Sequence, residues 1–303
     1  MRGCMKCAPR QPPGLRECPP AKRQTRDTSK EEAWAAGLRK EFSDSTQDVA
    51  LEIFCDHENP KTMEGMGFHN VDGEPLHRPW ADGRTGPDGG YKPDFFARVQ
   101  HDCSENAAGP QLFVHAELDE KEHRTRGYHN DCERQETIIQ MITTQRGPLP
   151  AGRLPERGAT AVIHDVLGCR VNPDWYVDSK RNKVPGRSAE KLHEKGGPHH
   201  LQMLVLEGAC KLWKRCPQLM QLRAQRHADA DAGGTAAPST WEPVVAYAYI
   251  NYSDGSKHLP DWRARPNRMW RHVRSEGDVK KFLEGFKELL IARAHKLVFS
   301  RAE

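Results

Sequence analysis

Four side chains in the middle of the sequence have the types and the spacing of a metal-dependent hydrolytic site. Glu117, Asp119 and His123 lie in one short stretch, and Asp94 precedes them. Carboxylate oxygens are the ligands that Mg²⁺ and Mn²⁺ prefer, and these ions also bind waters and substrate phosphates. A histidine nearby can take a proton from a metal-bound water or give one to a leaving oxygen. The pattern predicts phosphodiester hydrolysis with Mg²⁺ or Mn²⁺ as cofactor.

The acids depend on a predicted β-hairpin for their positions. Residues 94–99 (DFFARV) and 111–118 (QLFVHAEL) are strand-like and are joined by a polar connection. A hairpin centred near residue 105 places Asp94 nearly opposite Glu117, and the strand period of two puts Glu117 and Asp119 on one face. Such facing carboxylates repel one another unless a cation compensates them, so we expect Asp94, Asp119 and Glu117 to bind a divalent ion. The alternative is that AELDEKEHRTR is the solvated, charged start of a helix.

The elements that must position these residues follow the order of an α/β domain. The predicted elements are a helix from Glu31, strands at 49–54, 94–99 and 111–118, a helix at 129–142 and a strand at 160–166. Farther along, the patterns predict helix over 187–224, a linker at 227–239, a strand at 243–252 and a closing helix at 278–297. We therefore expect a disordered basic tail at 1–30, a core at 31–180 and a helical or mixed C-terminal extension at 181–303.

Two short motifs in the predicted core resemble those of a nuclease superfamily. Pro93-Asp94 followed by Glu117-Leu118-Asp119 resembles the PD-(D/E)xK signature, in which Pro-Asp begins one strand and an acid-x-Lys tripeptide ends the next. Asp119 stands at the position of that lysine. ELDEKEH is similar to the Glu-x-Asp-x-x-x-His pattern of EDxHD homing endonucleases and very-short-patch repair endonucleases, which need no lysine, and to uncharacterised algal and large-DNA-virus proteins. Arg124 stands where the EDxHD pattern ends in Asp.

The resemblance covers about residues 31–178 and implies a restriction-endonuclease-like core, α-β-β-β-α-β with a mixed sheet, that acts on DNA. It also implies supporting or phosphate-contacting roles for residues of the helix after the hairpin and of the next strand: Asp131, Glu133, Arg134, Arg170 and Asn172. The function expected from it is that of an endonuclease or nickase. The missing lysine and the missing motif acid keep open an inactive nucleic-acid-binding protein with the same fold. A structural protein in which these acids are surface charge is a further alternative.

Positive charge is uneven along a chain whose net charge is +4. The segment 263–274 (RARPNRMWRHVR) combines cationic and aromatic side chains of the kind that contact phosphates and stack on bases. Its candidate nucleic-acid-binding residues are Arg263, Arg265, Arg268, Trp270, Arg271 and Arg274. An equally good interpretation is an exposed connection whose tryptophans cover the core beneath the last helix.

Composition indicates an intracellular protein, with the nucleus as one candidate compartment. No apolar run approaches the length of a membrane span, the N-terminus lacks the apolar stretch of a secretory signal, and most of the nine cysteines are scattered. Cys4, Cys7 and Cys18 could begin a zinc knuckle with Cys55 or His57, although unpaired tail cysteines are the simpler interpretation. The oligomeric state stays open.

Overall fold

A computed structural model describes residues 29–43, 51–56, 58–66, 68, 93–99, 111–119, 131–144, 164–216, 243–254, 259–260, 262 and 265–299. Within these ranges the chain is an α/β protein with a mixed six-stranded sheet. Several predictions fall outside them, namely most of the basic tail, the 227–239 linker and the proposed ligands Cys4, Cys7, Cys18 and His57. No helix in the described part is both long enough and apolar enough to span a bilayer.

The described elements agree in order with those expected up to residue 171. In chain order they are α1 (Ser29–Ser43), β1 (Leu51–Cys55), β2 (Phe95–Val99), β3 (Leu112–Leu118), α2 (Asp131–Thr144), β4 (Asp165–Val171), β5 (Tyr176–Val177), β6 (Lys183–Val184), α3 (Pro198–Lys214), β7 (Val245–Ile250), β8 (Arg268–Val273) and α4 (Glu276–Phe299). Short 3-10 turns occupy Glu64–Met66 and Ala189–Lys191.

The large sheet has the strand order β1-β2-β3-β4-β7-β8. Its first three strands form an antiparallel meander, and β3, β4, β7 and β8 run parallel to one another. The β2–β3 register pairs Phe95 with Ala116, so the predicted antiparallel pairing of these two strands is confirmed. The four parallel strands end at one edge of the sheet, which we call the C-terminal edge.

The two faces of the sheet are covered by different helices. One face carries small and aliphatic residues such as Val114 and Ala248, and packs against α1, α3 and α4. The other face carries aromatic residues such as Phe113 and Tyr247, and packs against Ile138 and Ile142 of α2. Because the parallel strands are buried on both faces, β4 and β7 consist entirely of buried residues.

Gly168 makes room for an aromatic ring in the middle of β4. A Cβ atom at this position would lie 2.1 Å from the ring of Tyr247, which occupies the neighbouring strand. The glycine therefore allows a tyrosine to lie flat across the sheet on the α2 side.

The first residue of β4 is a buried carboxylate that contacts two helices. Asp165 accepts hydrogen bonds from Trp213 Nε1 of α3 at 2.6 Å and from Val244 N at 2.8 Å. It also pairs with Arg293 of α4 at 2.6 Å, and both members of this ion pair are buried. The start of β4 is thus fixed to α3, α4 and the segment that leads into β7.

The start of α3 contains a buried histidine. His199 is 4% exposed, and its ring packs edge-on against His193 with centroids 4.4 Å apart. Neither ring nitrogen of His199 has a hydrogen-bond partner among the described residues. Burial, together with the neighbouring His193 and His200, lowers the pKa of His199 to about 3, so the ring is neutral in the folded protein at ordinary pH.

Three sequence predictions about the later part of the chain need correction. Helix was expected from residue 187, but α3 begins only at Pro198, because Pro198 lacks an N–H and Gly196 has a left-handed φ of 74°. The strand expected at 160–166 continues to Val171, and residues 160–163 of that prediction lie outside the described part of the chain. Residues 268–273 are not a connection but the sixth strand, so the sheet continues well beyond residue 180.

Candidate functional site

Asp94 and the end of β3 come together as the hairpin geometry predicts. Asp94 directly precedes β2, and the next pair in the β2–β3 register would be Asp94 with Glu117. Oδ2 of Asp94 accepts a hydrogen bond from the backbone N–H of Leu118 at 3.0 Å. This bond holds the partly exposed Asp94 carboxylate beside the last residues of β3.

Asp119 is fully buried and its carboxylate is held by two side chains. Arg170 on β4 donates from Nε to Oδ2 at 2.5 Å and from Nη2 to Oδ1 at 2.7 Å, which is the bidentate geometry of a strong ion pair. The hydroxyl of Tyr252, just beyond β7, also donates to Oδ2. The backbone N–H of Asp119 donates to Val171 O at 2.8 Å, which fixes the residue at the C-terminal edge.

The same network extends to α2 and β7. Arg170 Nη1 donates to Oε1 of Gln135 at 3.3 Å, and the hydroxyl of Tyr249 donates to the same oxygen at 2.9 Å. Burial raises the pKa of Tyr249, so its hydroxyl stays protonated. We did not predict Gln135, Tyr249 or Tyr252 from the sequence. The signal that could have found Tyr249 is its alternation with Tyr247 along VAYAYI, which places both tyrosines on one face of β7. Tyr252 lies beyond β7 and does not follow this alternation.

Glu117 lies on the same face as Asp119 but has its own partner. His115 Nε2 is 2.9 Å from Glu117 Oε1, and His115 Nδ1 is 2.8 Å from the Tyr247 hydroxyl. Burial raises the pKa of Tyr247 well above its ordinary value, so this hydroxyl keeps its proton. The network is satisfied when Tyr247 donates to Nδ1 and Nε2–H of His115 donates to Glu117.

The remaining predicted residues are placed only in part. His123 lies outside the described residues. Asp131, Glu133 and Arg134 belong to α2, on the side of the sheet that carries Asp119, but their side chains are outside the described part. Asn172 is fully buried at the C-terminal edge, where it donates to Asn251 O at 3.0 Å and ties the ends of β4 and β7 together.

A metal ion at this edge would have to be held by fewer than three of the described acids. No group of three or more His, Cys, Asp or Glu side chains in the described part of the chain is arranged to hold a metal ion. Mg²⁺ is commonly held by one or two carboxylates, waters and substrate phosphates, and ligating carboxylates are themselves oriented by hydrogen-bond donors. Asp94 and Asp119 have such donors in Leu118 N and Arg170. Because the Arg170 guanidinium is already at Asp119, a cation there would bind more weakly than at an isolated carboxylate.

The basic segment proposed for nucleic-acid binding is partly neutralised by acids. Arg265 and Arg268 both contact Glu136 at 2.8 Å, and Arg274 contacts Asp254 at 2.8 Å. Arg263 lies outside the described residues. The exposed Arg271 lines a surface cleft of about 320 Å³, whose other lining residues are Trp270, His272, Asp278 and Lys281.

Comparisons of the chain with models of protein families, with curated proteins and with solved structures found no match. Its function therefore has to be inferred from the residues themselves.

Proposed function

We propose that this protein hydrolyses phosphodiester bonds of DNA in a metal-dependent reaction, as an endonuclease or nickase. The observation that carries the proposal is the placement of Asp94 at the end of β3, where it accepts a hydrogen bond from the backbone N–H of Leu118, the residue between Glu117 and Asp119. Three acids from two adjoining strands are thereby held at the C-terminal edge. The strand order and the motif resemblance described above also support a nuclease-like core.

Asp94 and Asp119 are the residues that would hold Mg²⁺ or Mn²⁺. When bound, such an ion lowers the pKa of a coordinated water and neutralises phosphate charge. Arg170 and Tyr252 orient the carboxylate of Asp119. Glu117 and His115 orient each other through their hydrogen bond, so we assign Glu117 a supporting role. Proton transfer is assigned to His123 on the strength of the motif resemblance alone.

A second candidate function is that of a DNA-binding protein that does not cleave. The observation in its favour is the Arg170–Asp119 pair, because a buried guanidinium already compensates the central acid. The two candidates share the same fold and differ in whether the acids bind a metal ion.

A nicking assay on supercoiled plasmid with Mg²⁺ or Mn²⁺ tests the proposal. Asp94→Asn is the main variant, since Asp94 is only partly buried and the change keeps its shape. Loss of a metal ligand removes several kcal/mol of transition-state stabilisation, so we expect nicking to fall at least about 100-fold. Asp254→Asn is the matched control, because it removes an exposed acid at the same edge and should nick like the wild type.

Two outcomes would count against catalysis by these acids. One is nicking that continues undiminished in Asp94→Asn or in the presence of EDTA. The other is a wild-type protein that binds DNA but neither binds Mn²⁺, measured by calorimetry, nor cuts, which would favour the second candidate. Thermal unfolding of each variant shows whether a loss of nicking follows from a loss of fold.

A further inference from the structure

A short basic hairpin projects from the C-terminal edge of the sheet. We call residues 175–187 the basic hairpin; β5 and β6 pair within it, with Tyr176 opposite Val184 and Val177 opposite Lys183. The segment WYVDSKRNKVPGR contains four cationic residues and one acid, so its formal charge is +3. It follows β4 directly, and no candidate residue chosen from the sequence lies in it.

The tip of the basic hairpin is held by its single acid. Oδ1 of Asp178 accepts the backbone N–H groups of Lys180 at 2.9 Å and Asn182 at 2.7 Å, and Oδ2 accepts the side-chain amide of Asn182 at 3.1 Å. These bonds, first of all that from the Asn182 backbone, lower the pKa of Asp178. Its negative charge is therefore used inside the turn and holds the backbone of the tip in one conformation.

The cations of the basic hairpin are presented to solvent. Lys180, Arg181 and Lys183 are all exposed. Arg181 occupies the left-handed region with φ 64°, where glycine or asparagine is the usual residue, so a large cation stands at a costly position. The ammonium of Lys183 lies 4.4 Å from the centre of the exposed Trp175 ring, which fixes a cation beside an aromatic surface.

The base of the basic hairpin is joined to the candidate site. The backbone N–H of Val177 donates to Ser253 Oγ at 2.9 Å, and Ser253 follows Tyr252, whose hydroxyl holds Asp119. Tyr176 is buried at the base, under the guanidinium of Arg274 at 5.3 Å from its ring. Arg187 N donates to Pro173 O at 2.9 Å and closes the base on the other side. Exposed cations thus extend outward from the same edge that carries the acids.

We propose that the basic hairpin binds the phosphate backbone of duplex DNA and positions it over the C-terminal edge. The partner must be a polyanion, because three exposed cations on a fixed turn can each contact a phosphate. Contacts of this kind position a duplex and do not read its base sequence. Its identity as DNA rests on the proposed function. The hairpin also differs from the 263–274 segment, in which three of the arginines already contact acids.

Fluorescence anisotropy with a labelled DNA duplex, in buffer with EDTA so that no cleavage occurs, tests this inference. The test variant is Lys180→Ala/Arg181→Ala/Lys183→Ala in the full chain. The control is Lys40→Ala/Lys280→Ala/Lys287→Ala, which removes three exposed cations from α1 and α4, the helices that pack on the aliphatic face of the sheet. Between about 50 and 200 mM salt, the plot of the log association constant against log salt should be shallower in the hairpin variant, with a slope smaller in magnitude by about 2 to 3. The variant should also bind the duplex at least about tenfold more weakly. The control should bind like the wild type.

Three results would overturn the inference: wild-type protein that does not bind the duplex, a hairpin variant with unchanged affinity and slope, or a control that loses as much affinity. Loss of binding in Arg271→Ala together with unchanged binding in the hairpin variant would assign DNA to the other surface. Binding that depends on the basic hairpin in a protein that never nicks plasmid supports the inference and contradicts only the proposed hydrolysis.

Discussion

Replacing Arg170 by methionine removes the guanidinium from Asp119 while keeping a long side chain in its place. Arg170 is 3% exposed and Asp119 is 0% exposed, so the carboxylate left behind has no direct access to water. Breaking a buried ion pair by removing one partner costs about 3–5 kcal/mol, since the remaining charge stays desolvated. We therefore expect Arg170→Met to lower the unfolding free energy by that amount and the melting temperature by roughly 6–20 °C.

Urea unfolding followed by circular dichroism measures this loss. Arg187→Met is the matched control, because Arg187 pairs with Glu194 at 3.2 Å on the surface, where both side chains are largely exposed. Such a pair contributes about 0–1 kcal/mol. In the double variant Arg170→Met/Asp119→Asn the buried charge is removed with its partner, so its loss should be smaller than the sum of the two single losses by about 0.5–3 kcal/mol.

Two results would refute this account of the buried pair. One is a loss in Arg170→Met of under about 1 kcal/mol, which is the range of surface pairs. The other is strict additivity in the double variant, which would mean that the two side chains act independently. Added Mg²⁺ provides a link to function: if Asp119 binds the ion, Mg²⁺ should restore part of the stability of Arg170→Met but none of that of Asp119→Asn.

Two other predictions concern stability away from the candidate site. The pKa of His199 is lowered to about 3 in the folded protein, so the unfolded chain binds more protons, and stability present above pH 6.5 is lost as the pH falls towards 3. Between pH 7.5 and pH 5 His199 should account for about 2 kcal/mol of the loss in unfolding free energy, measured by urea unfolding at each pH. His199→Leu should remove that part of the pH dependence, and an unchanged profile would contradict the prediction. Arg293→Met should cost about 3–5 kcal/mol by leaving the buried Asp165 carboxylate without its cation, whereas Lys287→Met on the exposed side of α4 should cost under about 0.5 kcal/mol in the same unfolding assay. Equal losses in the two variants would contradict the role given to Asp165.

Local patterns were sufficient to predict the hairpin and the first helices. DFFARV and QLFVHAEL have the composition of buried strands, and the register that follows from their spacing brings Asp94 to the end of β3 as expected. The polar partners of the acids could not be obtained in this way. Arg170 meets Asp119 only because β4 lies parallel to β3 with Leu118 opposite Val171, and pairing between distant strands leaves no local signal.

Beyond residue 180 the sequence was less informative for identifiable reasons. In β8 the strand alternation is obscured by charge, because arginines stand at both the first and the fourth position of RMWRHV. The turn residues Gly196 and Pro198 do mark the true start of α3, although Leu192 upstream suggested an earlier start. Metal binding and catalysis stay predictions, since they concern chemistry that the fold permits but does not require.

The position of Tyr252 in the chain has a consequence for synthesis. Tyr252 follows Asp119 by 133 residues, and its hydroxyl is one of the donors to that carboxylate. At about 5–20 residues per second, roughly 7–27 s separate the appearance of the acid from that of the hydroxyl during translation. Through most of this interval β7 has not been made, so β4 lacks its neighbouring strand on that side. Polypeptides released before residue 252 is made would contain the acids without the Tyr252 hydroxyl that donates to Asp119. The surroundings of Asp119 are therefore completed after β7 is made and before β8 adds the last strand of the sheet.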